Sequence, residues 1–237
     1  MIVVRGKRIM IVLLLMCITV IGCAFKFENS MKNNISIETV ALPVSNKVIV
    51  IDAGHGKPDE GAQNTNGLTE EAINLKIALK VQNLLEQSGC TVILTRSDEN
   101  AIYNEGSQTI REMKISDIKN RVKIGNESSA DLFVSIHLNK IPQAQYYGWQ
   151  TFYKEGNEES IKLATSIQNS LNEVIKRENK RVPAKISGVY IVDHVEIPLS
   201  IVECGFISNP EEASLLQQDE YQNKVAWGIY VGIINYF

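Results

Sequence analysis

A single layered α/β domain, with a mostly parallel central sheet flanked by helices, is the fold class this sequence predicts. Two observations carry the prediction. Short apolar, β-branched runs such as Val48–Ile51 recur without polar alternation, the pattern of strands covered on both faces. Between them lie segments with apolar residues at helical spacing, and strands alternating with helices build a layered α/β domain.

The elements follow in order. Lys47–Asp52 is a strand. Thr69–Gln87 is a helix, with Ile73, Ile77, Val81, Leu84 and Leu85 on one face, Thr69 at the N-cap and Gly89 where it stops. Thr91–Thr95 reads as a strand, Ser116–Glu127 as a helix, and Leu132–Ile136 and Gly148–Tyr153 as strands. Glu158–Ile175 is a longer helix, Gly188–Val192 and Leu199–Val202 are strands, and the chain is helical from Pro210 to its end. One long irregular stretch, Ser97–Lys114, is polar, and loops of that kind often border active sites.

The 237 residues are 44% hydrophobic and 22% charged, a globular balance that fits one compact domain. The formal net charge of −3 becomes more acidic if Arg5, Lys7 and Arg8 leave with a leader. A surface basic enough to hold nucleic acid is therefore not expected. Residues 1–25 place those basic residues before an uncharged apolar run, as in a signal peptide or signal anchor. Export, with membrane association through this segment, is the expectation. The run ends in Val20–Cys23, which resembles a lipoprotein cleavage box with Cys23 as the lipid acceptor; an ordinary hydrophobic leader is the alternative. Residues 26–46 form a polar tether, and the domain proper spans 47–237. Cys90 and Cys204 each sit inside an apolar segment without Cys-x-x-Cys spacing, so they read as core thiols rather than a disulfide or a zinc site.

Two of the three histidines, His55 and His137, directly follow predicted strands, where open α/β sheets hold their ligands. A catalytic zinc takes three imidazole or carboxylate ligands and keeps a fourth position open, so two histidines need one acidic partner. Glu70 and its neighbour Glu71 open the first helix after a glycine-rich loop, and spacing alone leaves the choice between them open. Glu203 ends another apolar strand. A carboxylate there is costly unless paired or functional. It reads either as a general base or as the partner of an internal arginine, Arg96 or Arg121.

Six segments taken in order resemble the motifs of zinc-dependent N-acetylmuramoyl-L-alanine amidases: Val50–Gly56, Gly67–Leu75, Thr95–Arg96, Arg121–Asn126, Ala130–Asn139 and Val202–Asn209. The resemblance implies Zn2+ as cofactor, with His55, Glu70 and His137 on the metal-ligand positions and Glu203 on the catalytic glutamate. It also implies a peptidoglycan substrate, which the residues alone do not reveal. A small, leader-bearing member looks like the germination-specific (spore cortex) amidases, with an accessory or targeting protein supplying localisation to the wall or spore envelope. The first loop, Gly56–Gly61, departs from the usual run of plain glycines, and Leu138 stands where a smaller residue is common. His194 falls outside the family's metal set and reads as a surface residue.

Two other readings compete with this one. A dinucleotide fold would need a third glycine after Gly54 and Gly56 and an acid at the second strand end, where Thr95–Arg96 stands. A wall-binding protein with the same fold but no activity, or one that waits for a partner, would lack a ligand or the glutamate in the first case and look identical in the second.

Overall fold

The computed structural model describes residues 10, 11, 16–22, 26 and 42–237. Residues 1–40 and 41–237 form two separate compact units. In the first, the described residues are helical; Cys23 and residues 27–41 of the tether lie outside the described residues. Among the described residues, no helix is long and apolar enough to cross a membrane.

The second unit is built on a six-stranded sheet in the order β2-β1-β3-β6-β4-β5. Strand β1 (Val48–Ala53) is followed by α1 (Glu70–Gln87), β2 (Thr91–Leu94), α2 (Ile110–Glu127) and β3 (Leu132–Asn139). Then come β4 (Gln150–Lys154), α3 (Glu158–Ile175), β5 (Ala184–Ile186), α4 (Tyr190–His194), β6 (Leu199–Phe206), α5 (Pro210–Leu216) and α6 (Asp219–Tyr236). β1, β2, β3 and β6 run parallel; β4 is antiparallel to β6 and parallel to β5.

The strands read as continuously apolar because both faces are covered. Ile49, Ile51, Leu132, Val134, Ile136 and Val202 point into a core shared with α1, α3 and α6. Their alternates, Val50, Phe133 and Ile201, pack with Ile191 and Val192 of α4 and Val122 of α2. Each fully buried aliphatic side chain contributes about 1.5–3 kcal/mol. α6 lies close on α3 because Gly232 has no side chain: a Cβ there would fall 2.5 Å from the Ile167 Cα.

Some boundaries differ from expectation. α2 begins at Ile110 rather than Ser116, because Thr109 and Glu112 close a capping box. Thr69 occupies the N-cap of α1, yet its hydroxyl makes no capping bond. The predicted strand at Gly188–Val192 is a correction: this segment is the short helix α4, while the three-residue β5 just before it escapes prediction. Ile191 and Val192 are buried in either conformation, so the apolar run alone could not discriminate. The C-terminal helical region divides into α5 and α6.

Candidate metal centre and active site

His55, His137 and Glu203 stand at or just beyond the C-terminal ends of β1, β3 and β6, and Glu70 opens α1. Ala53 pairs with Ile136 and His137 with Glu203, so alternation along β3 and β6 turns His137 and Glu203 to the same face as Phe133 and Ile201. After β1 the chain leaves the sheet through His55, which adopts a left-handed conformation (φ 63°). A non-glycine residue in that conformation needs outside support.

Two buried guanidinium groups supply it. Arg96 donates through Nε to Ala53 O (2.9 Å) and through Nη2 to Gly54 O (3.1 Å) and Glu71 O (2.8 Å). Arg121 donates to Ala53 O and His55 O. Three successive carbonyls of the turn are thus held from two sides. Arg121 is itself fixed by Asp52 (2.6 Å) and Asp117 (2.7 Å). Asp52 also accepts from the hydroxyls of Thr95 and Ser135. Burial alone would raise its pKa, but Arg121 and the two hydroxyls outweigh burial and hold it below the ordinary value.

Glu70, at the first position of α1, turns its carboxylate between the two imidazoles. Oε2 lies 3.3 Å from His55 Nε2, and Oε1 lies 3.0 Å from His137 Nδ1. The backbone N–H groups of Ala62 and Leu138 donate to the same carboxylate. Potential ligand atoms of His55, Glu70 and His137 all lie within 4.8 Å of one another. Asp59 Oδ2 accepts from His55 Nδ1–H at 3.0 Å, and its other oxygen pairs with Lys114 Nζ at 2.8 Å. A carboxylate on the far nitrogen of an imidazole fixes which nitrogen faces a metal. Burial lowers the proton affinity of His55, but Asp59 and Glu70 more than offset this and raise its pKa to about 9. Glu70, despite burial, is held far below the carboxylate range by the two histidines.

Two glycines make this closeness possible. A Cβ on Gly54 would lie 2.3 Å from the His137 ring, and one on Gly61 would lie 2.6 Å from Glu70 Oε2.

Glu203 is different in kind. Its Oε2 is inaccessible to solvent and has no hydrogen-bond partner among the described residues. Burial, with a further contribution from Glu70, raises its pKa to about 7 against the opposing pull of the histidines. Neither Arg96 nor Arg121 pairs with it; both are engaged at the β1 turn. Glu203, His55 and His137 line a cavity of about 370 Å³ whose other walls are Lys114 and Asp117 of α2 and the apolar Ile186, Val189 and Ile191.

The structure therefore brings His55, Glu70 and His137 together and puts Glu203 beside them. Glu71 is buried too, but its Oε1 faces the Thr69 hydroxyl. His194 is exposed and stacks on Tyr190 with ring centroids 3.9 Å apart. Sequence reasoning missed Asp52, Asp59, Lys114 and Asp117. Asp52 carried a signal, being a charged residue within an apolar strand, as Glu203 is; Asp59 and Lys114, in polar loop sequence, carried none.

Residues 49–235 match the family described as N-acetylmuramoyl-L-alanine amidase. A germination-specific N-acetylmuramoyl-L-alanine amidase of Bacillus subtilis (strain 168) is 39% identical over 213 residues, covering 90% of this chain and 89% of that protein. Among solved structures, the CwlD amidase from Clostridioides difficile, in complex with the GerS lipoprotein, superposes with a TM-score of 0.79 at 44% identity, covering 81% of this chain and 98% of that one. The catalytic domain of CwlV, an N-acetylmuramoyl-L-alanine amidase from Bacillus (Paenibacillus) polymyxa, superposes with a TM-score of 0.69 at 31% identity, covering 80% and 97%. With the family match extending over nearly all of the folded unit, this chain belongs to the N-acetylmuramoyl-L-alanine amidase family.

Proposed function

We propose that this amidase uses zinc to hydrolyse the amide bond between N-acetylmuramic acid and L-alanine in peptidoglycan, and that it acts outside the cytoplasm on the spore cortex for germination. The observation that carries the zinc reading is the cluster of two imidazoles and one carboxylate around a common point, with an unpaired glutamate next to it. The donor set suits the ion: nitrogen and oxygen ligands, three in number, with the family's open fourth position. His55, Glu70 and His137 would hold it. When bound, zinc supplies Lewis-acid charge that acidifies water and polarises the amide carbonyl.

The remaining chemistry belongs to the chain. Asp59 keeps His55 Nε2 turned toward Glu70, and Arg96 and Arg121 keep the β1 turn rigid. Glu203 takes the proton from the attacking water and returns it to the departing alanine nitrogen. A carboxylate with raised proton affinity suits both halves of that transfer, since it binds the proton readily and gives it up near neutral pH. The products are a free stem peptide and a sugar strand bare at that lactyl group.

The germination role rests on likeness to the Bacillus subtilis enzyme. The apolar leader supports export, with Cys23 as a lipid attachment point and membrane association through that segment. The structure of the Clostridioides difficile amidase is of a complex with a lipoprotein, and we infer an accessory partner of comparable kind for this chain. The inactive-scaffold reading is disfavoured, because His55, Glu70, His137 and Glu203 are all present.

The test is to quantify metal and to assay peptide release from peptidoglycan for the wild type and Glu203→Gln. About one zinc per chain in both, with release by the wild type alone, is the expected result. A metal-free wild type that still releases peptide, or an active Glu203→Gln, overturns the assignment.

A further inference from the structure

A second cavity opens at the same ends of the strands. Its volume is about 430 Å³, within the ordinary range for a ligand site. Three segments form it, and each continues directly from an element of the catalytic centre. Gln63–Asn66 begins one residue after Ala62, whose N–H holds Glu70 Oε2. Lys140–Pro142 follows His137 and Leu138 along β3, and Ile207 and Ser208 follow Glu203 along β6. The segments are tied together: Lys140 Nζ donates to Gln63 O (2.7 Å), Ile207 N to Asn139 O (2.9 Å), and Ile141 N to the Ser208 hydroxyl (3.3 Å). The floor is α5, which packs through Leu216 into the core shared with α1, α3 and α6. The catalytic cavity, walled by α2 and α4, lies on the opposite face of the sheet.

The two cavities differ in chemistry. The catalytic cavity is lined by Asp59, Lys114 and Asp117 as well as Glu203. The second contains no carboxylate among its lining residues, and its one cation, Lys140, is bonded to a backbone carbonyl. What it offers instead is amides and hydroxyls, Asn66, Ser214 and Gln217 among them, over an apolar bed of Ile141, Pro142 and Ile207. The β3–β4 loop that supplies Ile141 and Pro142 also carries Tyr146 and Tyr147, 47% and 42% exposed. That loop is pinned to the end of β6 by Asn209 Nδ2, which donates to Ala144 O (2.9 Å). Neutral hydrogen-bonding groups over an apolar bed suit ligands with apolar faces and polar edges.

We propose that this groove is the glycan subsite: it holds the sugar chain flanking the cleaved muramic acid, and the stem peptide lies on the other side, in the charged catalytic cavity. The proposal rests on the amidase reading. Sugar rings with acetamido and hydroxyl groups are neutral and bind amide and hydroxyl side chains, which this groove offers and the carboxylate-lined catalytic cavity does not. A strand running across the sheet edge from one cavity to the other passes the His55–Glu70–His137 cluster with its lactyl amide.

The test uses the full chain with the same stem peptide presented on one sugar and on a glycan of four sugars, comparing the wild type with Asn66→Ala and Ser214→Arg, both at exposed positions. The expected result is a wild-type kcat/KM that favours the longer glycan, and a preference ratio that falls about tenfold in each variant, equivalent to about 1.4 kcal/mol. A ratio that stays unchanged, or a loss that follows stem-peptide length, overturns the proposal. A separate readout is chemical-shift perturbation by tetra-N-acetylchitotetraose, expected at Asn66, Ser208 and Ser214 and lost in Ser214→Arg. Perturbation there with a wild type that cleaves neither substrate would sink the amidase reading and leave the glycan site standing; cleavage without perturbation would do the reverse.

Discussion

Gly54→Ala tests whether the proposed metal centre depends on contact between the β1 turn and the His137 ring. The φ of Gly54 lies outside the left-handed region, so the backbone tolerates alanine and only space is at issue. The added Cβ would sit 2.3 Å from Cε1 and Nε2 of His137 and 2.7 Å from Nδ1. A normal carbon contact is about 3.5 Å, so the ring must retreat by about 1 Å. It cannot retreat freely, because Nδ1 is 3.0 Å from Glu70 Oε1 and the Leu138 N–H holds that same oxygen. Overpacking of this kind costs about 1–3 kcal/mol, a fall of several degrees in Tm for a domain of this size. Displacing a site residue by ~1 Å costs on the order of 100-fold in rate. Peptide release, bound zinc and thermal unfolding should therefore all fall together. A variant that keeps full metal and more than half the wild-type activity would refute the steric argument.

Three further outcomes follow from the same network. Asp59→Asn should weaken zinc affinity about 10–100-fold while leaving the fold intact, because the carboxylate that orients His55 is lost; competition with a chelator measures it, and unchanged affinity would count against the positioning role. Asp52→Asn should destabilise the domain by about 1–3 kcal/mol at neutral pH, because Arg121 loses one of its two carboxylate partners and keeps Asp117. The folded pKa of Asp52 is depressed, so its stabilisation is present above the ordinary value of 3.8 and is lost as pH falls through the folded value; the gap between variant and wild type should narrow in acid denaturation. Gly61→Ala combines a left-handed φ of 68° with a Cβ 2.6 Å from Glu70 Oε2, and should lower both Tm and metal content.

How much was legible in the sequence depends on what kind of force placed each residue. β1, β3 and β6 were readable because burial on both faces imposes a continuous apolar run. α4 was misread as a strand, since five residues are too few for periodicity to act and packing against Val50 and Phe133 decides the conformation. β5, with exposed Lys185 between two half-buried neighbours, offers no pattern at all. In the site, His55, His137 and Glu203 stood out because polar residues at the ends of apolar strands are expensive to put there. The direction of an arginine is invisible at that level. Arg96 and Arg121 were candidates to neutralise Glu203, and only the fold shows that backbone carbonyls and Asp52 claim them first.

That commitment explains why Glu203 is left unpaired. Turning either guanidinium toward Glu203 would release the carbonyls that hold His55 in its left-handed conformation, so the chain keeps the turn and tolerates a buried carboxylate with no partner. The consequence is measurable in the metal-free protein. The folded pKa of Glu203 is raised from 4.5 to about 7, so between those values the folded state holds a proton that the unfolded state has released. Stability must fall as pH rises through that window, and above it the charged, buried carboxylate costs about 1–3 kcal/mol once solvent at its edge is allowed for. Glu203→Gln removes this term. Its Tm should match wild type near pH 4 and exceed it by a few degrees at pH 8, while peptide release is abolished. Identical Tm values at both pH values would mean that Glu203 is not strained by burial, and the trade of stability for a proton carrier would have to be abandoned.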